Sequence, residues 1–436
     1  MIESPSMATQ GRATIPDRKF LLALIYAIVL FKWLEVFEPA TELYVSLNPA
    51  AGLGGSTILI EDLLVVLLSF IVVGDLSLKR SLWTFLWPLL KPILVFLAIG
   101  FFFLGYSILL KGAGDVLANF RLFALGVLGV GAAIAFRNEN NLYRFLIFII
   151  VIWFIDSSYQ YYLRWEEGGW LYFGKGYVYV NRMYGALGFI ASLAILHAKR
   201  SSRPVKACVG IALMLYLVTL MLDGARGPIL CVILATGIFM LLEGVRLKRL
   251  LVTGTLVGLI MLVFFSYNSE RTLDTVRSMQ DLYQISGSVY ARWVAWDILF
   301  QRFMESPILG HGLGNHGDAI DLFIQQHAGD LVLYIGSAHN AHLVFLYKIG
   351  LLGVLSYIAL ALILARRAAK SVVGKSSFLR SAGHAAVAGV VAYFLYAATS
   401  PLGPSFHYYF WFYLSLLTAV ITISRRQEKA LSIHAS

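Results

Sequence analysis

The chain has 436 residues, of which 59% are hydrophobic and only 14% are charged. A soluble domain carries roughly 25% charged residues, so this composition excludes a soluble enzyme and predicts an integral membrane protein. The net charge of +11 would by itself suit nucleic-acid binding. However, the basic residues are gathered in short segments between apolar runs, which is the pattern of membrane topology, and we expect no nucleic-acid partner.

Twelve apolar runs, each close to the roughly 20 residues that a transmembrane helix needs, follow one another along the chain. Transmembrane β-strands are about 9 to 11 residues long and alternate in polarity, which these continuous runs do not. The sequence therefore predicts an all-α polytopic membrane protein with about 12 transmembrane helices. The predicted spans are 20–37, 56–74, 92–110, 118–136, 142–162, 178–197, 205–222, 227–245, 249–267, 342–365, 383–399 and 406–424.

The basic residues are divided unequally between the two sides of this layout. Of the 35 Lys and Arg residues, 23 fall on one side and ten on the other. The positive-inside rule then places both termini in the cytoplasm, with the opposite face in the periplasm if the membrane is a bacterial inner membrane. The first span lacks a small-residue cleavage site, which predicts an uncleaved anchor.

A single long polar stretch interrupts the spans, and we divide the membrane domain around it. Residues 1–265 hold transmembrane helices 1 to 9, residues 266–341 form one large periplasmic loop, and residues 342–436 hold helices 10 to 12 and a cytoplasmic tail. Within the loop, apolar residues at three- and four-residue spacing predict an amphipathic helix that Ser306-Pro307 ends. Glycines then permit tight turns or close backbone approach. The helix positions are Val289, Trp293, Trp296, Phe300 and Phe303, and the glycines are Gly310, Gly312 and Gly314.

Three arginines on the periplasmic side are candidates for binding an anion. Arg226 follows Asp223 in an outer turn at a helix start, where backbone donors add to its planar fork, although it could also pair with Asp223 or reach toward headgroups. Arg292 lies on the amphipathic helix beside Trp293, where a solvated-face role is the alternative. Arg182 lies within the outer end of a span and needs a partner, either a substrate or Glu166 or Glu167.

His339 and His342 stand three residues apart, with His311 and His316 upstream. A zinc site can be drawn from them, but it would need well-placed further ligands, and we rank it low. A neutral imidazole also suits proton abstraction from a sugar hydroxyl, and a capping or packing histidine is the structural alternative. The chain has no Asp-x-Asp pair, no phosphate-binding P-loop and no nucleophile elbow. We therefore expect no metal and no cofactor.

These motifs, in this order, resemble the O-antigen ligase family. The resemblance rests on Asp-Gly-Ala-Arg-Gly around Arg226, Arg292-Trp293 with Trp296 and Asp297, the stretch 307–314, and His339-Asn340 leading into Gly350 and Gly353. It implies a glycosyltransferase C-like membrane enzyme. Such an enzyme transfers O-antigen polysaccharide from undecaprenyl diphosphate to the lipid A-core oligosaccharide, with inversion and without a metal, at the periplasmic face of the inner membrane.

The resemblance also implies roles for individual residues. Arg226 and Arg292 would bind the diphosphate and His339 would serve as the base. We predict that Arg182, Asn340 and His342 also contact substrate. An O-antigen polymerase or a protein O-oligosaccharyltransferase would use the same donor, and the shared motifs do not separate ligases from polymerases. A transporter of a polyprenyl-linked glycan is a further alternative, because charged residues near the amino terminus lie within predicted spans.

Overall fold

Helices make up almost all of the structure. The computed structural model describes residues 18–34, 45–46, 57–58, 60–112, 116, 119–168, 182–223, 226–245, 288–314, 340–398 and 404–435. Within these residues, two strands of two residues each, β1 (Val45–Ser46) and β2 (Thr57–Ile58), form an antiparallel pair in which Val45 faces Ile58. The predicted class of helical membrane protein is confirmed, with this small pair as an addition.

The described helices follow the predicted apolar runs closely, with some changes of boundary. They are α1 (Arg18–Leu34), α2 (Ile60–Leu78), α3 (Arg80–Lys111), α4 (Arg121–Ala124), α5 (Gly126–Ala135), α6 (Glu139–Gly168), α7 (Arg182–His197), α8 (Arg203–Asp223), α9 (Arg226–Leu242), α10 (Ser288–Glu305), α11 (Ala341–Ser371), α12 (Ser377–Ala397) and α13 (Pro404–Ala435). The predicted span 118–136 is divided between α4 and α5. The predicted span 249–267 lies outside the described residues.

Four of the described helical segments are long and apolar enough to cross a membrane: α3, residues 139–159 of α6, α11 and α12. The chain is therefore a multi-pass membrane protein, while the total of twelve spans stays a prediction. With 32 residues, α3 is about 48 Å long, which exceeds the roughly 30 Å of a bilayer's hydrocarbon core. This length lets one end of α3 reach beyond the apolar layer and contact the segment that follows α10.

The core is centred on α13, whose residues from His407 to Ser424 are all buried. Its Trp411 packs against Gly126 and Gly129 of α5, where a methyl group on either glycine would touch the indole. The indole N–H donates to the carbonyl of Leu122 at 2.6 Å. Small residues thus allow an aromatic helix to approach closely, as is common where transmembrane helices pack.

The two ends of the helix bundle differ in chemistry. One end carries ion pairs between segments that we predicted to be cytoplasmic, including Arg380 with Glu243 at 3.6 Å and Lys375 with Glu428 at 3.1 Å. The other end holds α10, the last turn of α3 and the first turn of α11. The predicted grouping of these segments by side agrees with the structure, while their assignment to cytoplasm and periplasm stays a prediction.

Candidate functional site

The segment after α10 is joined to a break inside α11. At Gly350 the backbone leaves the helical region, with φ 57° and ψ −168°. The N–H of Leu351 donates to the carbonyl of Pro307 at 2.9 Å, and the N–H of Leu352 donates to Ile308 at 3.2 Å. In a regular helix these two N–H groups would bond to the carbonyls four residues earlier. The segment 306–314, here called the glycine turn, replaces part of the helix's own hydrogen bonding.

The carbonyls on the other side of the break are also satisfied by the glycine turn. Tyr347 accepts a hydrogen bond from the N–H of His311 at 2.8 Å, and Lys348 accepts one from Gly312 at 2.9 Å. Four backbone bonds therefore fasten the glycine turn to α11. Unpaired backbone groups are costly within a membrane, so a broken helix persists there only where another segment supplies the missing partners.

Two glycines make this close backbone approach possible. A Cβ atom added to Gly310, whose φ is 68°, would lie 2.6 Å from the backbone nitrogen of Gly350 and 2.6 Å from the carbonyl carbon of Lys348. A Cβ atom at Gly350 would overlap the carbonyl of Ile308. The sequence prediction that the glycines serve turns and close approach is confirmed at Gly310 and Gly312, which both have positive φ.

The C-terminal end of α3 holds the glycine turn from a second side. The Ser107 hydroxyl accepts a hydrogen bond from the N–H of Leu313 at 2.7 Å and donates to the carbonyl of Phe103 at 2.6 Å. The Tyr106 hydroxyl donates to the carbonyl of Gly310 at 3.2 Å. Ser107 is fully buried. The glycine turn is thus fixed between two helices, α3 and α11, and offers a rigid support for α10.

Cationic side chains surround this support. Lys348 of α11 is only 3% exposed, and its Nζ donates to Asn119 Oδ1 at 2.6 Å. Arg121 is also buried, and the charges of Arg121 and Lys348 both interact electrostatically with the buried ring of His407. Lys111 ends α3 with its Nζ 5.9 Å from the centre of the Tyr347 ring. Buried cations at a membrane protein's end are functional candidates.

Lys348 lies within the predicted span 342–365 but is not among the predicted site residues. An ionisable residue inside an apolar run is by itself a signal of function, so Lys348 could have been proposed from sequence. Asn119 could not, because 229 residues separate it from its partner.

Helix α10 is confirmed where the sequence predicted an amphipathic helix, and it ends at Glu305, just before Ser306-Pro307. Its buried residues include Leu299, which packs with Val344 and Tyr347 of α11. Of the predicted apolar stripe, Phe303 is buried, whereas Trp293, Trp296 and Phe300 are exposed. The side that contacts protein is therefore lined by other, mostly smaller residues, and the aromatic side faces outward.

Arg292 is exposed on α10, which packs on the first part of α11 through Leu299. His339 lies outside the described residues. Arg226 is the first residue of α9 and Arg182 is the first residue of α7, but their side chains lie outside the described part of the structure. The structure therefore places α10 beside α11 without testing the predicted grouping of the three arginines.

The two predicted substrate-contacting residues at the start of α11 have structural partners. Asn340 caps the helix, and its Oδ1 accepts a hydrogen bond from the N–H of Leu343 at 3.1 Å. The Nε2–H of His342 donates to the carbonyl of Phe394 at 2.8 Å, and the two rings are stacked with centroids 5.6 Å apart. Asn340 thus stabilises the first turn of α11, and His342 fixes that turn to the end of α12.

His311, the one histidine of the loop that is described, also has structural partners. Its Nε2–H donates to the carbonyl of Arg302 at 2.6 Å, and its ring stacks on Tyr347 with centroids 4.9 Å apart. The described residues contain no group of three His, Cys, Asp or Glu side chains that could hold a metal. His316 and His339 lie outside the described residues, so the expectation of a metal-free site stays a prediction.

Residues 211–358 match the family model described as O-antigen ligase. This segment belongs to the O-antigen ligase family. The match confirms the family resemblance drawn from the motifs, and it contains Arg226, α10, the glycine turn and the break at Gly350. A comparison with the curated proteins finds no match. The O-antigen ligase segment therefore includes α10, the glycine turn and the first part of α11, and it supports a function in the O-antigen ligase and polymerase superfamily.

Proposed function

We propose that the protein transfers O-antigen polysaccharide from undecaprenyl diphosphate to a sugar of the lipid A-core at the periplasmic face of the inner membrane. The observation that carries this proposal is the placement of the O-antigen ligase segment. Its α10, with the exposed Arg292, is fastened to α11 at the end of the bundle opposite the ion pair of Arg380 with Glu243. An exposed arginine on a rigid support at a membrane surface suits a lipid-linked diphosphate.

The donor's chemistry explains why cations are the groups required. Cleavage of the bond between the sugar and the diphosphate leaves a negative charge on the leaving group, and bidentate arginine contacts stabilise that charge. Arg292 and Arg226 would provide these contacts. Arg182 would add a further contact to the donor. Since the leaving group is already stable, the remaining need is alignment of donor and acceptor in a site with little water.

His339 would act on the acceptor. As the general base, its imidazole would take the proton of the acceptor hydroxyl as the oxygen attacks the anomeric carbon from the side opposite the diphosphate, which inverts that carbon. Asn340 and His342 would support this step from their observed positions. By fixing the first turn of α11 they would orient the residue that precedes it, so both are positioning residues in the proposal.

The acceptor distinguishes this function from its relatives. An O-antigen polymerase would add the glycan to another lipid-linked glycan, and a protein O-oligosaccharyltransferase would add it to a protein. Both would need the same cations for the same donor.

The different roles proposed for Arg292 and His339 give a first experiment, and α10 offers a matched control for Arg292. Arg302 also lies on α10 but is paired with Glu305 at 3.0 Å. We expect Arg292→Ala to weaken donor binding by roughly 10- to 100-fold, because a charge-assisted hydrogen bond contributes about 1.5 to 3 kcal/mol. Arg292→Lys should restore only part of the affinity, since an ammonium lacks the planar fork. Arg302→Ala should change donor affinity little.

His339→Ala should fail in a different way. Donor affinity should stay near that of the wild type, while the single-turnover rate falls by roughly 10² to 10⁴, the range of a lost general base. If His339→Ala instead loses donor affinity while bound donor reacts at the wild-type rate, His339 is a phosphate ligand. Equal effects of Arg292→Ala and Arg302→Ala on donor affinity would contradict the role of Arg292.

A further inference from the structure

Helix α10 presents three distinct faces. One face packs on α11 and includes the buried Leu299. A second face is polar and exposed, with Asp297, Gln301 and Glu305 at four-residue spacing. The third face is apolar and exposed: Trp293 is 59% exposed, Phe300 51% and Met304 57%, with Trp296 beside them. At about 100° per residue, these four side chains fall within a sector of about 80°.

The exposed apolar face continues into a surface that belongs to a candidate membrane span. Ile308, in the glycine turn, is 66% exposed, and its carbonyl accepts the hydrogen bond from Leu352 of α11. Leu351, Leu352 and Leu355 of α11 are themselves exposed. An apolar band therefore runs from the outer surface of α11 through Ile308 to the aromatic residues of α10. Its α11 part contacts lipid if α11 spans the membrane, as its length and composition indicate.

We infer that α10 lies along the membrane surface with its exposed apolar face inserted among the acyl chains of the nearer leaflet. Three features favour lipid as the occupant. The band is continuous with the surface of a spanning helix, the adjacent exposed face is polar, and tryptophan is a residue typical of the interfacial region. An exposed aromatic face of this size on a water-soluble surface would be an aggregation hazard.

This orientation also places Arg292. On the same helical projection Arg292 lies on the opposite side of α10 from Gln301, next to the apolar face and at nearly the same angle as the buried Leu299 and Phe303. A diphosphate linked to a polyprenyl lipid is held at the headgroup level by its own hydrocarbon chain. Insertion of the apolar face would set Arg292 at that level. This consequence rests on the proposed function, whereas the insertion itself does not.

Neighbouring positions on α10 give matched pairs for a direct test. With Cys208 and Cys231 replaced, single cysteines at 296, 300 and 304 would each be compared with the next position, at 297, 301 and 305. All six wild-type side chains are exposed, so a spin label at these sites does not disturb the core. The full chain in lipid nanodiscs would be measured by electron paramagnetic resonance with oxygen, which concentrates in the bilayer, and with a water-soluble nickel complex.

We expect the ratio of oxygen to nickel collision rates to be at least several-fold higher at 296, 300 and 304 than at 297, 301 and 305. Equal ratios within the pairs would overturn the inference. Low collision rates with both reagents at 296, 300 and 304 would also overturn it, because they would show that protein, such as a second copy of the chain, covers this face. The readout needs no glycosyl transfer, so it can succeed or fail independently of the proposed function.

Discussion

The junction between the glycine turn and α11 can be tested with one methyl group. Gly310→Ala forces a φ of 68° on an alanine and places its Cβ 2.6 Å from backbone atoms of Lys348 and Gly350. Gly374→Ala is the matched control, because Gly374 has a φ of 73° but no atom within 4 Å of its added Cβ. Both variants carry the left-handed backbone strain, about 1 to 2 kcal/mol. The clash is present only at Gly310.

The size of the difference follows from the hydrogen bonds at stake. To relieve the clash, the glycine turn must move away from α11 and lose up to four backbone hydrogen bonds. At about 0.5 to 1.5 kcal/mol each, their loss costs roughly 2 to 6 kcal/mol beyond the strain. We expect Gly310→Ala to lower the melting temperature in detergent clearly more than Gly374→Ala and to abolish transfer. Equal melting temperatures and equal activities would refute the proposed junction.

Three further predictions follow from the structure. Ser107→Ala leaves the buried N–H of Leu313 without its acceptor and should cost about 1 to 3 kcal/mol in stability to heat. The control Ser77→Ala should cost little, because Ser77 is exposed and its hydroxyl bonds within its own helix, α2. Similar losses in the two variants would contradict the support role of Ser107. Burial raises the pKa of Glu243, but hydrogen bonding from His384 and neighbouring positive charge outweigh burial and lower this pKa below its ordinary value of 4.5. The stability advantage of the wild type over Glu243→Gln should therefore be full above about pH 4.5 and should be lost as the pH falls through the lowered pKa. A stability advantage that persists in acid would contradict this prediction. Transfer should survive EDTA, and loss of transfer restored by magnesium or manganese would contradict cation-only binding of the diphosphate.

The sequence was sufficient to predict the helical membrane class and the local structure of α10. Long apolar runs leave few alternatives in a membrane, because only helices satisfy their own backbone within a single segment. The end of α10 was also predictable, since Ser306-Pro307 stops a helix. These features depend on residues that are close in sequence.

The break in α11 was not predictable from the same kind of pattern. Gly350 lies in an apolar run that reads as one continuous helix, and glycine is common in transmembrane helices. The carbonyls of Pro307 and Ile308, which accept hydrogen bonds from the next two residues of α11, lie more than forty residues earlier. Only the tertiary structure shows that the glycine turn and α11 satisfy each other's backbone hydrogen bonds.

Similarly, hydrophobic spacing identified α10 as amphipathic but could not say what its aromatic residues contact. An apolar stripe on a helix can pack against protein or against lipid, so the spacing of apolar residues is the same in either case. The structure shows which side contacts protein, because Leu299 packs on α11 while Trp293 and Phe300 remain exposed.

The most direct test of the proposed function is the mass of the product formed by the purified protein. The full chain would be reconstituted in lipid with undecaprenyl-diphosphate-linked O-antigen and lipid A-core, and with each substrate alone. We predict lipid A-core that gains the mass of the glycan, with release of undecaprenyl diphosphate, only when both substrates are present. Longer glycans on undecaprenyl diphosphate without lipid A-core would show a polymerase, and donor that crosses the membrane unchanged would show a transporter; either result would contradict the proposed ligase.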